Sequence, residues 1–92
     1  MPDLLHEFWR TDDSGDFGLI RVNSDKIRAQ ISPEAAFQFE IWAPSWREAM
    51  RLYEERAYGE FGKSYDHFPD TIYSEEDLVE QQAYLRIRTV AR

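Results

Sequence analysis

The chain has 92 residues, 42% of them hydrophobic and 15% aromatic, which suits one globular domain rather than a disordered segment. Its 18 acidic residues against 11 basic ones give a net charge of −7, which argues against nucleic acid or an anionic membrane as partner and allows a basic protein. There is no cysteine, so disulfides, thiolate nucleophiles and cysteine-based zinc sites are excluded.

The first residues, Met1 to Glu7, lack a basic stretch followed by an apolar one, so no signal peptide is expected. No apolar run is long enough to span a membrane, and a soluble cytoplasmic protein is the default expectation. Residues 4–10, with Phe8 and Trp9, read as a strand. His6-Glu7 opens like a zinc His-Glu-x-x-His motif, but the fifth residue is Arg10 and the pair is incomplete. The run from Thr11 to Asp16 is a turn by composition. Asp12, Ser14 and Asp16 have the spacing of half a calcium loop, but Phe17 stands where a glycine is needed.

Residues 17–22 read as a second strand. Residues 26–32 alternate, with Ile27, Ala29 and Ile31 on one face, and read as a third. In 36–42, Phe37, Phe39 and Ile41 oppose Gln38 and Glu40, which marks a fourth strand. Short connections between these strands predict an antiparallel meander over 17–42. Pro44 should stop the pairing. Ser45 then reads as a helix N-cap with Glu48 three residues on, a capping box contributing about 1 kcal/mol. Trp46, Ala49, Met50, Tyr53 and Ala57 form one apolar stripe, so a long helix is predicted over 45–58, ending at Gly59.

Residues 59–74 form a long irregular segment in which acidic and aromatic residues interleave. Ser74 with Asp77 suggests another N-cap, opening a short helix over 75–81. Residues 83–90 then alternate, Leu85 and Ile87 against Arg86 and Arg88, and read as a closing strand; one continuous helix over 75–90 is the competing reading. The expected fold is therefore α+β: one domain spanning 1–92, an antiparallel sheet of four to five strands with one long helix on one face. Its other face should be solvated or covered by a second copy.

Chemistry is sparse. Over 60–80 the acids Glu60, Asp66, Asp70, Glu75, Glu76, Asp77 and Glu80 stand against Lys63 alone, so most of the excess negative charge lies here. Phe61, Tyr65, Phe68 and Tyr73 lie among them, so Phe61, Tyr65, Asp66, His67, Phe68, Asp70 and Tyr73 form a candidate partner-binding surface. His67 stands beside Asp66 and three residues before Asp70, the residue types of a carboxylate-oriented base or a metal site. No third ligand is evident, and no catalytic set, metal site or cofactor is assigned. Tyr84, Arg86 and Arg88 would share one strand face, suited either to a nucleic-acid backbone or to pairing with acids such as Glu40. The expectation is a non-catalytic interaction module that binds itself as a homodimer, or another, basic protein. The alternatives are a small His67-centred enzyme and an acidic nucleic-acid mimic.

Overall fold

The computed structural model describes residues 2–59 and 69–92. The fold is α+β: three antiparallel strands in one sheet, plus three helices, among the described residues. The strands are β1 (Leu4–Arg10), β2 (Gly15–Leu19) and β3 (Ala36–Ala43), and the helices are α1 (Val22–Ile31), α2 (Trp46–Tyr58) and α3 (Glu75–Ile87). Sheet order is β2-β1-β3, so the meander expected over 17–42 is replaced by a sheet with the first strand in the centre. Leu4 to Trp9 are all buried, as a strand covered on both faces must be.

The two faces differ. Leu4, His6 and Phe8 point to α2, where Phe17, Phe39 and Tyr53 pack on them: Phe8 and Tyr53 lie 5.0 Å apart edge to face, and Phe17 and Tyr53 stack at 4.4 Å. Ile41, Ala43 and Ala49 form the buried centre of this layer, flanked by Leu52 and Tyr53. Gly15 lies under Phe8 so closely that a Cβ there would meet the ring edge at 2.7 Å. Helix α2 has the expected ends. Ser45 Oγ accepts from the Glu48 N–H at 3.2 Å, and Gly59 is left-handed at φ 71°. The Glu48 carboxylate, however, pairs with Arg51 rather than closing the box. α2 is also not a lone long helix, since α3 has the same 13 residues.

The alternation of β3 is broken by a bulge. Phe39 is opposite Phe8, but Phe37 is opposite Trp9, so a register shift sends two phenylalanines two residues apart to opposite faces. Phe39 faces α2, 5.2 Å from Phe8, while Phe37 lies edge to face with Trp9 on the other side.

That other face is not free, contrary to expectation. α1, α3 and the segment after α3 cover it. Residues 26–32 are not a strand: α1 runs through them, and the second strand ends at Leu19, before residue 22. Ser24 sets the turn, its Oγ accepting from the Arg21 N–H at 2.8 Å and donating to the Leu19 carbonyl at 3.0 Å. Residues 83–90 are not a strand either; α3 continues through them to Ile87. Ser74 and Asp77 cap α3 reciprocally, at 3.2 and 2.9 Å.

Both helices turn polar side chains inward. Gln81 and Tyr84 lie along one side of α3, with Arg88 at its C-cap, and Asp25 and Arg28 lie along one side of α1. Ile27 and Ile31 on α1, and Val79 and Ile87 on α3, are exposed, the last of each pair by 74%. The alternation of Ile27, Ala29 and Ile31 therefore marked no inward face. No helix among the described residues is long and apolar enough to cross a membrane.

Candidate functional site

The inward polar side chains make one continuous ion network. Arg88 grips Glu7 through Nη2 (2.6 Å) and Nη1 (3.1 Å), and Asp25 through Nε (2.8 Å) and Nη2 (2.9 Å). Tyr84 donates to Asp25 Oδ2 at 2.5 Å, Arg28 donates to Oδ1 at 3.0 Å, and the Trp9 indole N–H donates to Glu7 at 3.0 Å. Arg92 extends the chain of charges from Glu7 to Glu40 at 3.3 and 3.0 Å. Two arginines also lie over rings, Arg28 on Trp9 and Arg92 on Phe37, both at 3.9 Å. Burial pushes the Glu7 and Asp25 carboxyls up, but the Arg88 bonds and the surrounding guanidinium charges outweigh it and hold both below the usual carboxylate range. Tyr84, Arg88 and Arg92 thus serve the chain's own carboxylates; Tyr84 and Arg86 lie on α3 and Arg88 is its extended C-cap, so the three do not share one strand face.

On the opposite face, His6 is fully buried. Its Nδ1 lies 3.1 Å from the Leu4 carbonyl and 3.3 Å from that of Ile41. Carbonyls only accept, so Nδ1 carries the proton, and Nε2 accepts from the Tyr73 hydroxyl at 2.7 Å. Burial lowers the His6 pKa despite its backbone bonds, and burial raises Tyr73 to about 12. The pair is a neutral hydrogen bond that ties 70–73 to the sheet, with Phe17 and Trp46 beside the imidazole. Neither group faces one of the clefts described below.

Of the candidate residues from the sequence, Asp70 and Tyr73 can be placed; Phe61, Tyr65, Asp66, His67 and Phe68 lie outside the described residues. Asp70 accepts from the Arg47 N–H at 2.9 Å, which places its carboxylate at the amino end of α2. Thr71 and Tyr73 exchange backbone bonds with Trp46 and Pro44 at 3.0 Å each. Asp70 and Tyr73 therefore tie 70–73 to the β3–α2 junction and to His6. Among the described residues no three His, Asp or Glu side chains gather in a way that could hold a metal ion. Asp12 and Ser14 belong to the β1–β2 turn, which Thr11 closes by bonding Ser14, and Asp16 lies in β2 opposite Trp9.

Two surface features remain. A cleft of about 430 Å³ lies between the β1–β2 turn and the end of α2, with Arg10 and Arg56 set against Asp12 and Asp13. The second feature is the outer edge of β3. In an antiparallel pair, alternate residues turn their N–H and C=O toward the partner strand or away from it. The Ile41 carbonyl faces β1, where His6 reaches it; the Glu40 carbonyl faces away, where Arg56 Nη1 donates to it at 3.2 Å. Glu40 and Trp42 therefore direct their backbone groups outward, at the end of the sheet. Alongside runs a groove of about 420 Å³ lined by Glu40, Ile41, Trp42, Leu52, Glu55 and Arg56, with Trp42 48% exposed. Sequence reasoning missed this edge because which strands are terminal is a tertiary fact.

No family model matches this chain, and no match was found to a curated protein or to a solved structure.

Proposed function

We propose that this chain is a non-catalytic protein-interaction domain that works by adding an extended strand to the outer edge of β3. The observation that carries the reading is that edge. It is eight residues long, contains no lysine or proline, carries Glu40 as its one charge, and opens onto a groove with an apolar floor. Natural sheets blunt such edges with short strands, lysine, proline or a covering element. Here the bulge lies at the Phe37 end, and among the described residues the outward N–H groups of Glu40 and Trp42 meet no partner strand. An incoming strand would satisfy them. The polar side chains best suited to chemistry support the same reading, since His6, Glu7, Asp25, Tyr73 and Arg88 are consumed by internal bonds.

Amide-by-amide hydrogen exchange tests it. The Glu40 and Trp42 amides should exchange freely in dilute protein. They should become protected on adding an extended peptide of alternating aliphatic and polar residues, or on concentrating the protein. Amides that stay unprotected under both conditions refute strand addition.

A further inference from the structure

We infer that the cleft between the β1–β2 turn and the end of α2 binds a small zwitterion of the α-amino-acid class, its carboxylate held by Arg10 and Arg56 and its ammonium by Asp12 and Asp13. This goes beyond strand addition and does not depend on it. The cleft measures about 430 Å³, within the range of small-molecule sites, and the Phe8 and Phe39 rings line it beside the four charged side chains.

The charges come from three places in the chain. Arg10 ends β1, Asp12 and Asp13 sit in the turn after it, and Arg56 reaches in from the last turn of α2. Elsewhere Arg28, Arg51, Arg88 and Arg92 are each spent on a carboxylate. Among the described residues Arg10 and Arg56 have no carboxylate partner and Asp12 and Asp13 have no basic one, although all four line one cleft. Arg56 is held in place without being used up. Its Nη1 donates to the Glu40 carbonyl at 3.2 Å and its guanidinium stands over the Phe39 ring at 4.6 Å, while Nε and Nη2 have no acceptor among the described residues. A fork fixed in this way loses little freedom on taking a carboxylate.

The balance of charge selects the ligand. Two arginines and two aspartates leave the cleft neutral within a chain of net charge −7. A simple anion would meet Asp12, Asp13 and the negative field of the whole chain, and a simple cation would meet Arg10 and Arg56. A molecule with one charge of each sign satisfies both sets. The negative end of the α2 dipole lies at this cleft and favours the ammonium, and the Phe8 and Phe39 rings offer an apolar surface to the ligand's side chain.

The test is an NMR titration of the full chain at low ionic strength and pH ~6, where each probe carries its intended charge. The probes are L-phenylalanine, its N-acetyl derivative (carboxylate only), its amide (ammonium only) and inorganic phosphate. The expected result is saturable shifts of the Phe8, Gly15 and Phe39 amides with phenylalanine, and binding weaker by about tenfold or more for each of the other three. Arg56→Gln, and Asp12→Asn combined with Asp13→Asn, should each weaken phenylalanine by a similar factor. Arg51→Gln, whose parent side chain pairs with Glu48 outside the cleft, should leave it unchanged. No saturable shift up to about 10 mM phenylalanine overturns the site. Any single-charge probe that binds as tightly as phenylalanine overturns the zwitterion. Binding that survives both the arginine and the aspartate variants lies elsewhere and overturns the inference. Should a variant not fold, the four probes on the parent protein decide, since only a site using both charges rejects all three of the others.

Discussion

Arg88→Met is the perturbation that most directly probes the ion network. Arg88 makes four charge-assisted bonds to two carboxylates. Its side chain is 7% exposed, and those of Glu7 and Asp25 are 0% and 7% exposed. Methionine fills much of the same space but leaves both carboxylates buried beside a weaker set of partners. Removing one member of a buried pair costs about 3–5 kcal/mol, chiefly because the remaining charge is stranded. Against a total stability of ~5–15 kcal/mol that is a large fraction. At roughly 4–8 °C per kcal/mol for a domain of this size, the melting temperature should fall by at least about 12 °C. The pH dependence follows from the signs. Glu7 and Asp25 have folded pKa values below their unfolded ones, so the parent holds their stabilisation fully above the unfolded carboxylate range of about 4 and loses it as pH falls through the depressed values. Without Arg88, burial dominates and the carboxyls take up protons more readily, so the deficit should be greatest near neutral pH and shrink in acid. Urea denaturation at pH ~7, ~5 and ~3.5 reads both quantities. Adding Glu7→Gln and Asp25→Asn to Arg88→Met should recover much of the loss. A cost under about 1 kcal/mol at pH 7, or one that does not change with pH, would refute the argument that stranded charge is the cause.

His6 should give the fold a second pH dependence, at higher pH. Its folded pKa is lowered by burial, so its contribution is complete above the unfolded value of about 6.5 and is lost as pH falls, by up to about 1.4 kcal/mol per pH unit. His6→Gln should flatten the stability profile between pH ~7 and ~5, and an unchanged slope would mean that another group titrates there. Gln81 reaches from α3 to the backbone, where its Oε1 accepts from the Leu5 N–H at 2.8 Å and its Nε2 donates to the Leu5 and Ile20 carbonyls at 2.9 and 3.2 Å. Gln81→Leu should cost about 2–4 kcal/mol in denaturant titration by leaving buried backbone groups unpaired; a loss below ~1 kcal/mol would show that they find other partners.

Local sequence determined the elements whose signals are local. Ser45 and Gly59 bound α2, Ser74 with Asp77 opens α3, and the aromatic-rich run from Leu4 to Trp9 makes a strand, because capping oxygens, a left-handed glycine and apolar content act over a few residues. The same logic misread Ile27–Ile31 and Leu85–Ile87. Period two in aliphatics marks a strand only if the aliphatics are the buried side, and here the buried side is Asp25, Arg28, Gln81, Tyr84 and Arg88. Their partners lie up to 81 residues away, and no window of sequence contains both ends of the Glu7–Arg88 pair. His6-Glu7 was legible as a pair of polar residues inside an apolar run, which is how a central strand covered on both faces looks, but not as two groups facing different layers. The bulge that parts Phe37 from Phe39 likewise depends on the neighbouring strand. Tertiary structure alone decided that β1 lies in the middle and β3 at the edge. That ordering pairs strands far apart in sequence, so no local signal encodes it, and it is what directs the backbone groups of Glu40 and Trp42 outward.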